Sequence, residues 1–161
     1  MTNKLPTEPN IVRPPIERHP VHHTITEVDI SRLVDVFYTR VRADARLGSV
    51  FEARLEGRWE PHLAKMKLFW SSVLLKTGHY KGKPVPAHVT LTQVQSDDFQ
   101  IWLTLFRKTA EEIFAPEAAA LIIKTAERIA QSLWLAMFAT PFNGPPEWLR
   151  GSGSAPDSIT C

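Results

Sequence analysis

Four side chains with chemistry to offer, Tyr38, His62, His88 and Trp102, occupy positions where the surrounding pattern asks for apolar residues. An imidazole nitrogen can ligate a transition metal or move a proton. A phenol can donate and accept a hydrogen bond, whereas an indole N–H can only donate. Two of the four lie in one stretch, WEPHLAKMKLFWSSVLLKTGHYKGKPVPAH, in which His88 follows His62 by 26 positions across a Gly/Pro-rich run. Singly, each has a plain packing explanation. Tyr and Trp are commonly buried with their polar end on a backbone carbonyl, and a lone inner histidine is more often a hydrogen-bonded core residue than a ligand. The constellation carries more information than its members.

The spacing allows the two histidines to face each other. A helix from His62 to Lys76 rises roughly 21 Å. The residues from Thr77 to His88 can return up to ~40 Å if extended, and Gly78, Gly82, Pro84 and Pro86 suit a shaped return loop. A slot between the histidines, walled by Phe, Met, Leu and Trp side chains, Met66 and Phe69 among them, would suit a flat apolar cofactor. Haem asks for such a slot, one strong axial nitrogen, and cations near its propionates. Lys65, three residues after His62, is the first candidate for such a cation and Lys67 the second. A solvated helix face explains either lysine equally well.

The elements that must hold these residues read as helices from about residue 24 to 140. Thr24 followed by Glu27 resembles a capping box, and Ile30, Leu33, Val34, Phe37, Tyr38 and Val41 then fall on one stripe. A second long helix is predicted from Trp59 to Lys76, with His62, Met66, Phe69 and Val73 on its inner surface. Ser96 is predicted to cap the next helix, with Asp97 and Asp98 in its first turn. Its stripe is Phe99, Trp102, Leu103, Phe106, Ala110 and Ile113. Pro116 suits the first position of a last helix, whose inner row runs from Leu121 to Met137 before Pro141 stops it. VPAHVTLTQV reads as a turn of helix and a loop, and no alternating strand survives. The expectation is an all-α domain over 24–140. Residues 1–23, rich in proline, and 141–161 are expected to be flexible extensions, with Phe142, Trp148 and Leu149 able to pack back locally.

Bulk properties narrow the function. A chain of 161 residues has room for one domain with a real core. A formal charge of +2, from scattered basic residues, gives no case for nucleic acid. No apolar run reaches signal-peptide or membrane-span length, and the one cysteine, Cys161, cannot form an internal disulfide. These features predict a cytoplasmic protein. HPVHH, His19 to His23, could bind a stray divalent metal, but lacks a second ligand pair of known spacing.

Four blocks carry a family resemblance. FYTRVRADARLGSVF, WEPHLAKMKLFWSSVLL, TGHYKGKPVPAH and FQIWLTLF stand in order and with the spacing of the group III truncated haemoglobins, over roughly Ile30 to Met137. The resemblance implies a truncated globin: a two-over-two helical sandwich enclosing haem b. It puts His88 in the place of the proximal iron ligand. Tyr38, His62 and Trp102 fall in the three distal places, and Phe51 in the place of the aromatic that wedges against haem. Ser49 departs from the family, which usually has proline there, and would loosen the bend before Phe51. The glycine-glycine signature of other truncated groups is absent.

A diatomic ligand that takes up negative charge is held by hydrogen-bond donors in a dry pocket. With Tyr38 and Trp102 both able to donate, slow release of O2 is expected. The predicted function is therefore binding of O2, NO or CO for O2/NO or peroxide redox chemistry, with an unidentified electron donor, rather than bulk O2 transport. That activity would be a nitric oxide dioxygenase or a peroxidase-like one. Two other readings stay open: a gas sensor or scavenger without turnover, and a haem-free helical interaction protein.

Overall fold

The computed structural model describes residues 17–150. Six α-helices follow in order: α1 (Glu27–Ala43), α2 (Ala45–Leu55), α3 (Trp59–Leu74), α4 (Pro84–Val89), α5 (Asp98–Ile113) and α6 (Pro116–Phe138). A 3-10 turn, Glu147–Leu149, comes after them. Among the described residues there is no strand, only one isolated bridge between Thr140 and Asn143. Helix α1 packs on α2, α3 and α5, and α5 packs on α6. The pair α1/α3 thus forms one layer and α5/α6 the other, with short α4 lying against α6.

The amphipathic stripes explain this stacking. Ile30, Leu33, Val34, Phe37, Tyr38 and Val41 are the buried face of α1. At the centre, Phe106 is sandwiched between Trp70 on α3, 4.9 Å away, and Trp102 on its own helix, 5.3 Å away. Phe37 meets Phe106 and Trp102 edge-on. Offset and edge-to-face aromatic pairs of this kind add about 0.5–1.5 kcal/mol each beyond area burial. They also fix the plane of Trp102, so a packing cluster orients a candidate functional side chain. Gly48 allows the tight corner between α1 and α2, since a Cβ there would come within 2.7 Å of the Arg42 carbonyl oxygen.

Several local expectations change. The capping box is Thr26 with Asp29, not Thr24 with Glu27. The Thr26 hydroxyl accepts from the Asp29 amide, and the Asp29 carboxylate accepts from the Thr26 amide. The Thr-x-x-acid pattern occurs twice here, and Glu27 is drawn away to the buried Ser71 hydroxyl. Helix α3 ends at Leu74 rather than Lys76, because Lys76 takes a left-handed backbone (φ 61°) that closes the helix. Ser96 does not cap α5. Its hydroxyl accepts the Trp134 indole N–H at 2.8 Å instead. Leu121 is 39% exposed rather than on the inner row of α6.

The flanks touch the core. The Val21 amide donates to the Leu74 carbonyl at 2.8 Å, and Ile25 is buried. After α6, Leu149 is buried and Trp148 half-buried, while Phe142 is 98% exposed. The expected extensions over residues 1–16 and 151–161, with Cys161, lie outside the described residues. No described helix is long and apolar enough to cross a membrane.

Candidate haem site

The layers enclose one deep cavity of about 680 Å³. Eight of the residues singled out in the sequence line it: Tyr38, Phe51, His62, Lys65, Met66, Phe69, His88 and Trp102. These residues come from α1 (Tyr38), α2 (Phe51), α3 (His62 to Phe69), α4 (His88) and α5 (Trp102), and α6 adds Ile129, Ala130 and Leu133 to the lining. Lys67, the second candidate cation, is not among them. It faces outward and pairs with Asp35 at 2.9 Å. No group of three or more His, Cys, Asp or Glu is arranged to hold a metal ion among the described residues, so HPVHH assembles none. There His22 and His23 stack at 4.5 Å, and His19 pairs with Glu17.

The two histidines are set differently. His88 sits in the last turn of α4, and its Nδ1–H donates to the Pro84 carbonyl at 2.7 Å. A carbonyl can only accept, so this bond fixes the tautomer and leaves Nε2 with a free lone pair. His62 Nε2 is buried and has no hydrogen-bond partner. Burial, with the charges of Lys65 and His88 adding, pulls the His62 imidazole down to about 4, so it is neutral near pH 7. A buried nitrogen without a partner costs about 1–3 kcal/mol, which is tolerated where something else is to meet it.

Tyr38 and His62 meet edge-on at 5.2 Å, and Trp59 closes on both. Burial raises the Tyr38 phenol above its ordinary value, so it stays a neutral O–H donor. Helix α3 starts without a side-chain cap. Instead the Trp59 indole N–H donates to Glu52 at 2.8 Å, and the Arg42 guanidinium lies 4.5 Å above the Trp59 ring. These contacts anchor the turn that carries His62.

Sequence reasoning passed over three contributors. Arg54 lines the cavity from α2, a second cation beside Lys65. Tyr80 lines it from the return loop, edge-on to Phe69 at 5.1 Å. A Cβ on Gly82 would run into the Tyr80 hydroxyl and ring, which gives the Tyr-x-Gly pattern a physical reason. The third is Asp98, which stands in the first turn of α5 as expected but turns its carboxylate inward to the Arg46 guanidinium and the Gln95 amide. Arg46 also donates to the Gln93 carbonyl, so this knot ties down the loop after His88. Arg46 lies 52 positions from Asp98, and no local spacing announces that pair.

Two helices over two, wrapped around one deep apolar cavity, make this a globin of the truncated class. No protein-family model matches the chain. It is 34% identical over 110 residues to the Group 3 truncated hemoglobin ctb of Campylobacter jejuni, covering 66% of this chain and 87% of that protein. The crystal structure of a group III truncated hemoglobin from Campylobacter jejuni matches with a TM-score of 0.69 at 30% identity, covering 76% of this chain and 98% of that one. The chain belongs to the group III truncated haemoglobins. With the family comes haem-based binding of small ligands.

Proposed function

We propose that the cavity holds haem b, with the His88 Nε2 as the iron's protein ligand and Tyr38, His62 and Trp102 facing the gas-binding side. The observation that carries this reading is the pairing of two unlike histidines in one apolar cavity. One has its tautomer fixed by the Pro84 carbonyl, and the other has a buried nitrogen without a partner. When bound, haem supplies an iron centre that takes up diatomic ligands and exchanges electrons.

The chain's own residues do the rest. Phe51, Met66 and Phe69 wall the slot and exclude water. Lys65 and Arg54 are the cations for the haem carboxylates. On the distal side the Tyr38 O–H and Trp102 N–H donate to a ligand that takes up negative charge. Neutral His62 can donate or accept one further hydrogen bond. No protein acceptor engages Tyr38 or Trp102 among the described residues, which leaves both donors available. Two donors slow ligand release, which suits O2/NO or peroxide redox chemistry, using an outside electron donor, better than O2 transport.

The test is a His88→Gly variant. It should lose most of its haem and regain it when imidazole is added, with the Soret band reporting both. A variant that keeps full haem without imidazole would sink the assignment. Catalytic loss of nitric oxide by the reduced wild type with a reductase present separates turnover from mere sensing or scavenging.

A further inference from the structure

From Pro61 to Ser96 the chain has five lysines, three histidines and no Asp or Glu. This stretch builds α3 from its third residue onward, the return loop and α4, which together line one flank of the cavity. Two of the lysines are accounted for: Lys67 pairs with Asp35, and Lys65 lines the cavity. Lys76, Lys81 and Lys83 are exposed and do not line the cavity, so haem carboxylates do not explain them. No carboxylate pairs with these three among the described residues.

Helix α4 adds an apolar centre to this cationic ground. Val85 and Val89 are 40% and 48% exposed. They lie one turn apart on one side of the helix, while Pro84, Ala87 and His88 line the cavity from the other. Lys81 and Lys83 immediately precede them. A small apolar spot rimmed by unmatched positive charge suits a brief, electrostatically steered encounter rather than a permanent interface.

We propose that this α4 face docks an acidic electron-carrier protein of the flavin or iron–sulfur kind. The inference rests on the haem reading above. Charge complementarity sets the acidity of the partner. The position sets its chemistry, because a partner on the outer side of α4 is within about one helix diameter, 10–12 Å, of His88. Docked there, the reduced carrier gives up one electron to the iron held by His88. No bond breaks and no proton has to move. An anionic membrane would meet the same lysines, but a helix of six residues offers two valines and no aromatic anchor to bury in it.

The experiment uses the haem-loaded full chain and reduced flavodoxin, a strongly acidic one-electron carrier, in stopped flow. The second-order rate of iron reduction should fall about 10-fold or more between low and about 0.3 M salt. The charge reversal Lys81→Glu/Lys83→Glu should slow it about 10-fold at low salt and leave reduction by dithionite unchanged. Lys108→Glu/Lys124→Glu, on α5 and α6, should have little effect. With oxidised flavodoxin and the carbon monoxide form, amide shifts should cluster on residues 81–89. Equal slowing by both reversals, a salt-independent rate, or shifts on another face would overturn the docking site. So would binding to phosphatidylglycerol vesicles that only the Lys81/Lys83 reversal abolishes, with flavodoxin unaffected. A protein that dithionite reduces but flavodoxin does not overturns the docking alone. A chain that takes up no haem overturns the reading beneath it.

Discussion

Asp98 at the start of α5 and Arg46 at the start of α2 form a two-point pair, Nε to Oδ1 and a second guanidinium N–H to Oδ2, each at 2.8 Å. The Asp98 side chain is 7% exposed, and the pair also holds the loop that follows His88, through the Gln93 carbonyl and the Gln95 amide. The helix that carries Trp102 is thus fastened to the segment that follows His88.

Acid should loosen that fastening. Burial pushes the Asp98 carboxyl up, but the hydrogen bonds from Arg46 and Gln95, with the Arg46 charge, outweigh it and hold the group below its ordinary value. The charged form is therefore favoured by folding. Its contribution is complete above the unfolded value, about 4, and is lost as pH falls through the lower folded value. Asp98→Asn should lower Tm by about 5 °C at pH 7. The gap to wild type should close in scans taken progressively below pH ~4. A gap unchanged in acid would assign the loss to packing rather than charge.

Trp102 supplies the cleanest distal test. Its ring plane is set by Phe106 and Phe37, so Trp102→Phe removes the N–H and keeps an aromatic wall. A hydrogen bond to a charged partner contributes about 1.5–3 kcal/mol, so O2 release should quicken roughly 10-fold or more. The carbon monoxide stretch should shift as well. Tyr38→Phe should act in the same direction but by a less regular amount, because His62 stands edge-on to that ring and can move onto the ligand. An unchanged release rate and stretch in Trp102→Phe would reduce Trp102 to core packing.

Gly82 is a close-approach glycine. Gly82→Ala drives a methyl into Tyr80, which must leave its edge-on contact with Phe69. The expected loss is about 1–3 kcal/mol, with faster haem release to an acceptor globin. Combining it with Tyr80→Ala should cost no more than Tyr80→Ala alone, since the clash partner is gone. Fully additive losses would point to the loop backbone instead.

The N-terminal boundary can be read by truncation. Removing residues 1–20 should change Tm by less than about 5 °C. Removing residues 1–25 also deletes the Val21–Leu74 hydrogen bond and buried Ile25. Burial of such a side chain is worth about 1.5–3 kcal/mol, so the longer truncation should melt clearly lower. Equal Tm values for the two truncations would show that the Val21–Ile25 segment adds nothing to the core.

The stripes of α1, α3, α5 and α6 and the inward side of α3 were legible in the chain because they rest on short-range order, whereas α2 showed no stripe of its own in that reading. A stripe of Ile30, Leu33, Phe37 and Val41 has only one way to bury itself. A histidine on the inner surface of α3 points inward whatever it faces, and Gly82, Pro84 and Pro86 break the chain wherever they stand. Placing Tyr38, Phe51 and Trp102 around those histidines took the family resemblance, since spacing alone left each with a packing explanation. Tertiary structure decided how polar groups are shared between segments. Glu27 went to Ser71, Ser96 to Trp134, and Asp98 to Arg46 rather than to the helix starts beside them. Lys67 turned outward to Asp35, and Arg54 joined Lys65 at the cavity. Apolar burial follows from periodicity along one helix. A hydrogen bond goes to whichever partner the packed layers bring within about 3 Å, and in the pairs named here that partner lies up to 52 positions away.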